Sequence, residues 1–247
     1  MASSLSIPFA TLLACAAAAP VVLSGASNAE AIQAVSKVSI ADGEREADVA
    51  QVICTRRYTL RNKRWNKDGV MQVVIKSDAR TGQKQFEILS MQAEGLQKKV
   101  FDKVLQAEVE GSRKGNSEGD TSVTTANYDF EFDHIDTTNG RQYVVVRLKP
   151  KRSSKFLIAG KAWIDPQENA IVRVEGRTAR SVSFWIGKPQ IYQSFRKVDG
   201  VWVSSANRSV SDVKLLGQTE MNVEFGDYKI VRQAPHLART SSVRTGL

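Results

Sequence analysis

Charge is missing from the start of this chain. No Asp, Glu, Lys or Arg occurs before Glu30, so the first 29 residues contribute no side-chain charge to the net +9 of a 247-residue sequence. Histidine and cysteine are almost absent too: only His134, His236, Cys15 and Cys54 occur. That scarcity excludes a histidine-rich metal centre and a disulfide framework. The glycines stand singly, so no glycine-rich loop is available to cradle a phosphate. No internal repeat occurs, and no nucleophile, base and electrophile stabiliser fall into a recognisable set. Carboxylates are plentiful, yet no spacing singles out a pair for glycoside chemistry. What is present, 42% hydrophobic and 25% charged residues, is the mix of a folded protein.

The uncharged start reads as an address. Leu5 to Ala26 is apolar or small, and Ala26-Ser27-Asn28-Ala29 offers a small-x-small site with cleavage after Ala29. That is the layout of a secretory signal peptide over 1–29, lacking only a basic residue ahead of the apolar core. The competing readings are a retained anchor and, at Leu12-Leu13-Ala14-Cys15, a loose lipobox. Pro8, Pro20 and the lack of a basic cluster directly behind the run count against an anchor. Cleavage would leave Cys54 as the only thiol, which is safest buried on the strand face it shares with Tyr58 and Leu60.

Residues 30–50 form a lead-in in which Glu44 to Ala50 has the makings of a short helix. From Gln51 the period is two. Val52, Cys54, Tyr58 and Leu60 share one parity, while Arg57, Thr59, Arg61 and Lys63 share the other. Strands follow at 70–76 and 85–91. The period then changes. Leu96, Val100, Phe101, Val104, Leu105 and Val109 line one side of a helix over 95–110. A polar linker covers 112–120, and from Tyr128 the chain is β throughout. Expected strands are 142–149, 155–165, 170–178, 181–186, 190–198, 201–212 and 218–230, with a frayed tail at 232–247. Asp199-Gly200 is a type I′ hairpin signal, and Asn139-Gly140 is another turn. Consecutive strands on short turns give an antiparallel meander. The expected fold is therefore mainly β (α+β), a single domain over 51–231. Its curved antiparallel sheet forms an open half-barrel with one amphipathic helix on its concave side. One helix cannot cover so many strands, and uncovered apolar surface becomes a groove.

The positive charge is uneven. Arg56, Arg57, Arg61, Lys63, Arg64 and Lys67 crowd one strand and its turn, and Lys149, Lys151, Arg152 and Lys155 fill one hairpin loop. Such patches suit anionic lipid head groups, acidic glycans or simply solvent; export would separate the protein from nucleic acid. Arg56 has the parity of the apolar face, where an inward arginine pairs with a carboxylate or a carbonyl. His134 adjoins Asp133, but strand alternation sends the two to opposite faces, and no second histidine or thiolate completes a ligand set.

Gly160-Lys161-Ala162-Trp163-Ile164-Asp165 with Ala170-Ile171-Val172-Arg173-Val174-Glu175-Gly176 resembles the outer-membrane lipoprotein-sorting superfamily. So does Val198-Asp199-Gly200-Val201-Trp202-Val203 followed by Tyr228-Lys229-Ile230. That superfamily holds LolA- and LolB-type proteins and RseB (MucB)-type sensors, and the likeness spans about residues 48 to 231. The Arg-Pro dipeptide of LolA-type carriers does not occur. The resemblance implies an open β-barrel, no enzymatic activity, no cofactor and a periplasmic or cell-envelope location. It also implies a lipid acyl chain or a lipoprotein as ligand, with an anionic lipid or an envelope protein as further partners. The alternative is an RseB-like interaction module with a filled core and a basic docking face. The residues expected to line the ligand groove are Tyr58, Leu60, Phe130 and Phe132 on the sheet and Leu96, Val100, Phe101 and Val104 on the helix. The helix is expected to lie over Phe130 and Phe132.

Overall fold

The computed structural model describes residues 27–112, 121–183, 186–215 and 217–233. The apolar leader up to residue 26, the polar linker from 113 and the tail from 234 lie outside the described residues.

Helix α1 (Asn28–Glu46) leads into β1 (Val49–Asn62), β2 (Gly69–Asp78) and β3 (Lys84–Gln92). Helix α2 (Leu96–Ser112) precedes a meander of β4 (Tyr128–Thr138), β5 (Arg141–Pro150), β6 (Ile158–Asp165) and β7 (Ala170–Thr178). That meander ends with β8 (Gln190–Val198), β9 (Val201–Val213) and β10 (Gly217–Arg232). All ten strands form one antiparallel sheet in the order β3-β2-β1-β10-β9-β8-β7-β6-β5-β4. The fold is mainly β, as the alternation and the turns imply. Asn139-Gly140 and Asp199-Gly200 have positive φ at both positions, the geometry of type I′ hairpins.

Directly paired residues share a face of the sheet, so one rung can be followed across it. It runs Phe132, Val146, Ala162, Val174, Gln193, Asn207, Val223, Tyr58, Met71 and Met91. Both ends of this rung are apolar and its centre is polar. The helices follow that division. Ala31, Val35 and Val38 of α1, spaced four and three, pack with Phe130, Val146, Ala162 and Val174 in one core. Phe101 and Leu105 of α2 pack with Tyr58, Leu60, Met71 and Val223 in another. Helix α1 has 19 residues and so is about 28 Å long, enough to cross strands β4 to β7.

The structure corrects four expectations. The lead-in is a full helix from Asn28, started by a capping box in which Ser27 accepts from the Glu30 N–H and Glu30 from the Ser27 N–H. Only Ala31, Val35 and Val38 of it are buried, while Ile32 and Ile40 are exposed, so its apolar stripe is too thin to read. Residues 181–183 are not a strand; Ile186 alone makes an isolated bridge to Val213. A bulge between Phe132 and His134 breaks the alternation of β4. It brings the Asp133 carboxylate to 2.7 Å from His134 Nδ1 and lets Ile135 rather than His134 pack on the core. Finally, α2 lies over β1 and β2, and the helix over Phe130 and Phe132 is α1.

Two glycines are required by close approach. Gly160 and Gly176 face each other in β6 and β7, and a Cβ on Gly160 would sit 2.0 Å from the Glu175 carbonyl oxygen. Gly160→Ala is expected to destabilise the fold by about 1–3 kcal/mol, because backbone must move. Phe101 is fully buried, so Phe101→Ala is expected to cost about 3–5 kcal/mol. Urea melts of each variant read both values, and a Phe101 variant that melts like the parent would show that α2 is not core.

Candidate functional site

Among the described residues, neither helix packs on the sheet between the two cores. Two cavities open there, one of about 480 Å³ and one of about 460 Å³, and Val104 and Met221 line both. The first runs from Leu60 and Trp65 past Val100 and Val104 of α2 to Ile186 and Val213. The second is reached past Tyr58 and Val104 and is bounded by Phe156, Ile191 and Phe225. Together they form a groove between α2 and strands β8 to β10. Its floor includes Gln193, Asn207 and Ser209, the polar centre of the sheet.

The second cavity ends at a charged clamp. Arg56 is on the inner face of β1, and its guanidinium donates to Glu108 Oε1 of α2 at 2.9 Å. The other oxygen of Glu108 accepts from Lys84 of β3 at 2.6 Å. Arg56 also stacks on the Phe225 ring at 4.8 Å, a cation–π contact. Its inward parity and carboxylate partner agree with the sequence reading. Burial acts to raise the Glu108 carboxyl, but Arg56 and Lys84 outweigh it and hold the group below its usual range. Burial pushes the Tyr58 phenol up to about 12, so it stays protonated, and its oxygen accepts from the Arg56 guanidinium at 3.5 Å. Helix α2 has no acidic residue in its first turn and no basic residue in its last, so its macrodipole is unaided. Packing of Phe101 and Leu105 and the Glu108 clamp hold it on the sheet.

The structure sorts the expected groove residues into three groups. Leu60, Leu96, Val100 and Val104 line the first cavity, and Tyr58 lines the second. Phe101 is sealed beneath the helix in its core. Phe130 and Phe132 lie in the α1 core, away from both cavities. Missed by the sequence reading were Trp65, Ile186, Val213 and Met221. Met221, Val223 and Phe225 were legible in the two-residue period of β10; Ile186 was assigned to a strand that does not form. Among the described residues no group of three His, Cys, Asp or Glu gathers to hold a metal. Cys54 is buried, as its parity suggested. Among the described residues no helix is long and apolar enough to cross a membrane.

No protein-family model and no curated protein matches the chain. Solved structures do resemble it. A domain assigned to outer membrane lipoprotein sorting from Vibrio parahaemolyticus aligns at 11% identity and a TM-score of 0.46, over 82% of this chain and 93% of that one. A LolA superfamily protein from Nitrosomonas europaea aligns at 13% identity and 0.40, over 81% and 94%. MucB in its complex with MucA from Pseudomonas aeruginosa aligns at 9% and 0.26, over 82% and 99%.

Glu108→Gln is expected to destabilise the protein at pH 7 by about 2 kcal/mol, the scale of lost charge-assisted hydrogen bonds. Since the folded carboxyl titrates below its unfolded value, its contribution is present above about pH 4.3 and disappears as pH falls through the folded value. The gap between parent and variant in urea melts should therefore close on going from pH 7 to pH 3. An unchanged gap would place the loss in packing rather than charge.

Proposed function

We propose that this chain is a non-enzymatic cell-envelope protein that shelters an acyl chain, free or carried by a lipidated partner, in the groove between α2 and strands β8 to β10. One observation carries the reading: a cavity of about 480 Å³ walled by Leu60, Trp65, Val100, Val104 and Met221. Its volume falls within the roughly 300–1,000 Å³ of small-molecule sites. Its walls are built from the same helix stripe and strand parities that make the neighbouring core, but among the described residues no side chain closes the space between them. Each buried methylene contributes about 0.8 kcal/mol. About ten of them would reach the free energy of a micromolar complex before ordering losses. The uncharged leader, read as an export signal, supports an envelope location for this activity.

Protein purified from the envelope of its native host should release lipid on organic extraction. It should also bind a fluorescent fatty acid in titration. Val104→Trp is the sharper arm. Val104 is half-buried where the two cavities meet, so a larger ring would fill the groove with little effect on folding. Its affinity for the fatty acid should fall about tenfold or more while its urea midpoint stays close to the parent's. A protein that yields no lipid and binds no fatty acid would overturn the reading.

A further inference from the structure

The topology sends five connections to one end of the sheet: β1 to β2, β3 to α2, β5 to β6, β7 to β8 and β9 to β10. This is the end at which the larger groove cavity opens, between Trp65, Leu96 and Val182. Three large apolar side chains stand out into solvent there, one from each of three connections. Leu96 begins α2, Val182 lies in the β7–β8 connection, and Leu215, 80% exposed, tips the β9–β10 hairpin. They are neighbours: Leu96, Val182 and Lys214 line one cavity, and Arg64 donates to the Leu215 carbonyl.

Exposed lysines and an arginine surround them. Lys63, Arg64 and Lys67 lie in the β1–β2 turn, Lys99 and Lys103 on α2, Lys188 in the β7–β8 connection and Lys214 beside Leu215. The carboxylates at this end are few, and most are used. Asp68 pairs with Arg61, Asp102 with Lys98, Asp129 with Lys151 and Glu220 with Arg208, while Glu94 lies at the start of α2 and Asp212 near the end of β9. The opposite end of the sheet has the reverse balance. Its turns carry Asp48, Asp78, Asp165, Glu168 and Asp199; of its cations, Arg141, Lys197 and Arg232 sit in ion pairs with them, and Arg80 shares the β2–β3 turn with Asp78. Among the described residues the excess of positive charge therefore lies at one pole, and that pole also bears the protruding apolar side chains.

We propose that this pole docks on an anionic lipid bilayer surface, with Leu96, Val182 and Leu215 dipping into the head-group layer and the surrounding lysines paired with lipid phosphates. A nucleic acid or acidic glycan would match the charge but not three apolar tips pointing into solvent. A purely apolar partner would not match the lysines. Interfacial binding uses both at once: apolar side chains at the acyl boundary and a polybasic rim in the negative surface potential. The geometry would also present the groove mouth to the membrane, although docking does not require the groove to be filled.

The test is co-sedimentation of the full chain with large vesicles of equimolar phosphatidylglycerol and phosphatidylcholine, beside vesicles of phosphatidylcholine alone. The expected result is retention on the anionic vesicles that weakens steeply between 50 and 500 mM salt, since exposed charges are screened over about 10 Å at 0.1 M. The triple variant Lys67→Gln, Lys99→Gln, Lys103→Gln should bind about a hundredfold more weakly, at about fivefold per lysine. Leu215→Ser should lose severalfold affinity that lowering the salt does not restore. All four positions are exposed, so the urea midpoints should match the parent's, and the leader is common to every chain compared. Equal binding to both vesicle types, or wild-type affinity in the triple variant, would overturn the proposal. So would absence of binding to either vesicle, which would leave a protein partner for this pole.

Discussion

The pairing of β1 with β10 is the constraint from which the rest of the structure follows. Every other neighbour in the sheet is also a neighbour in sequence; this one joins Val49–Asn62 to the last strand of the meander across more than a hundred and fifty residues. Without it the chain would be a three-stranded unit with a helix and a separate seven-stranded meander. The pairing runs from Val49 to Asn62 with two register shifts, and it sets Tyr58 beside Val223 and Leu60 beside Met221. Those pairs bring the α2 core onto the same face as the α1 core. Closing so long a loop costs entropy before any contact repays it, so this is a slow, non-local topology.

The rung through Gln193 and Asn207 explains why joining the halves gives a groove and not a single core. Helices pack where the sheet offers apolar residues on facing strands, and β8 and β9 offer Gln193, Asn207, Ser209 and Ser211 instead. Covering these with a helix would leave hydroxyls and amides to be satisfied in a dry interface. The two helices therefore settle to either side, and their inner edges become walls. Val104 shows the consequence on a single side chain: it packs on the α2 core and also lines both cavities.

Much of this was legible in the sequence, and the failures share a physical cause. Two-residue alternation located all ten strands to within a few residues, adding only a segment at 181–186, and put Cys54, Arg56, Tyr58 and Leu60 on the inner face, because one-faced burial imposes that period directly. The stripe from Leu96 to Val109 located α2 for the same reason. Helix α1 was legible only as a helical lead-in of uncertain extent because it buries only Ala31, Val35 and Val38, side chains too small to stand out from an alanine-rich background. Partnership was harder still. Periodicity tells which face is apolar but not which element covers it, so Phe130 and Phe132 were placed under the wrong helix. The bulge at Asp133 illustrates a third limit, since one inserted residue reverses every later parity and nothing in the residue types announces it.

The polar floor raises the question of whether an acyl chain could lie over it. A buried hydroxyl or amide opposes an apolar ligand only if its hydrogen bonds must be given up to water's absence. Here part of the floor is already self-satisfied. Gln193 donates to Ser204 Oγ at 3.1 Å, and the Tyr228 hydroxyl donates to the Ser204 carbonyl at 2.7 Å. At the clamp, Glu108 has a partner on each oxygen. Floor groups bonded to one another present mostly their carbon surface upward, and covering them forfeits less than their composition suggests. The same arrangement disfavours sequestering a strongly polar solute, because those groups are not free to turn toward it. A floor partly closed in on its own hydrogen bonds thus removes one objection to the acyl chain proposed for this groove, since such a ligand asks for contact and little hydrogen bonding.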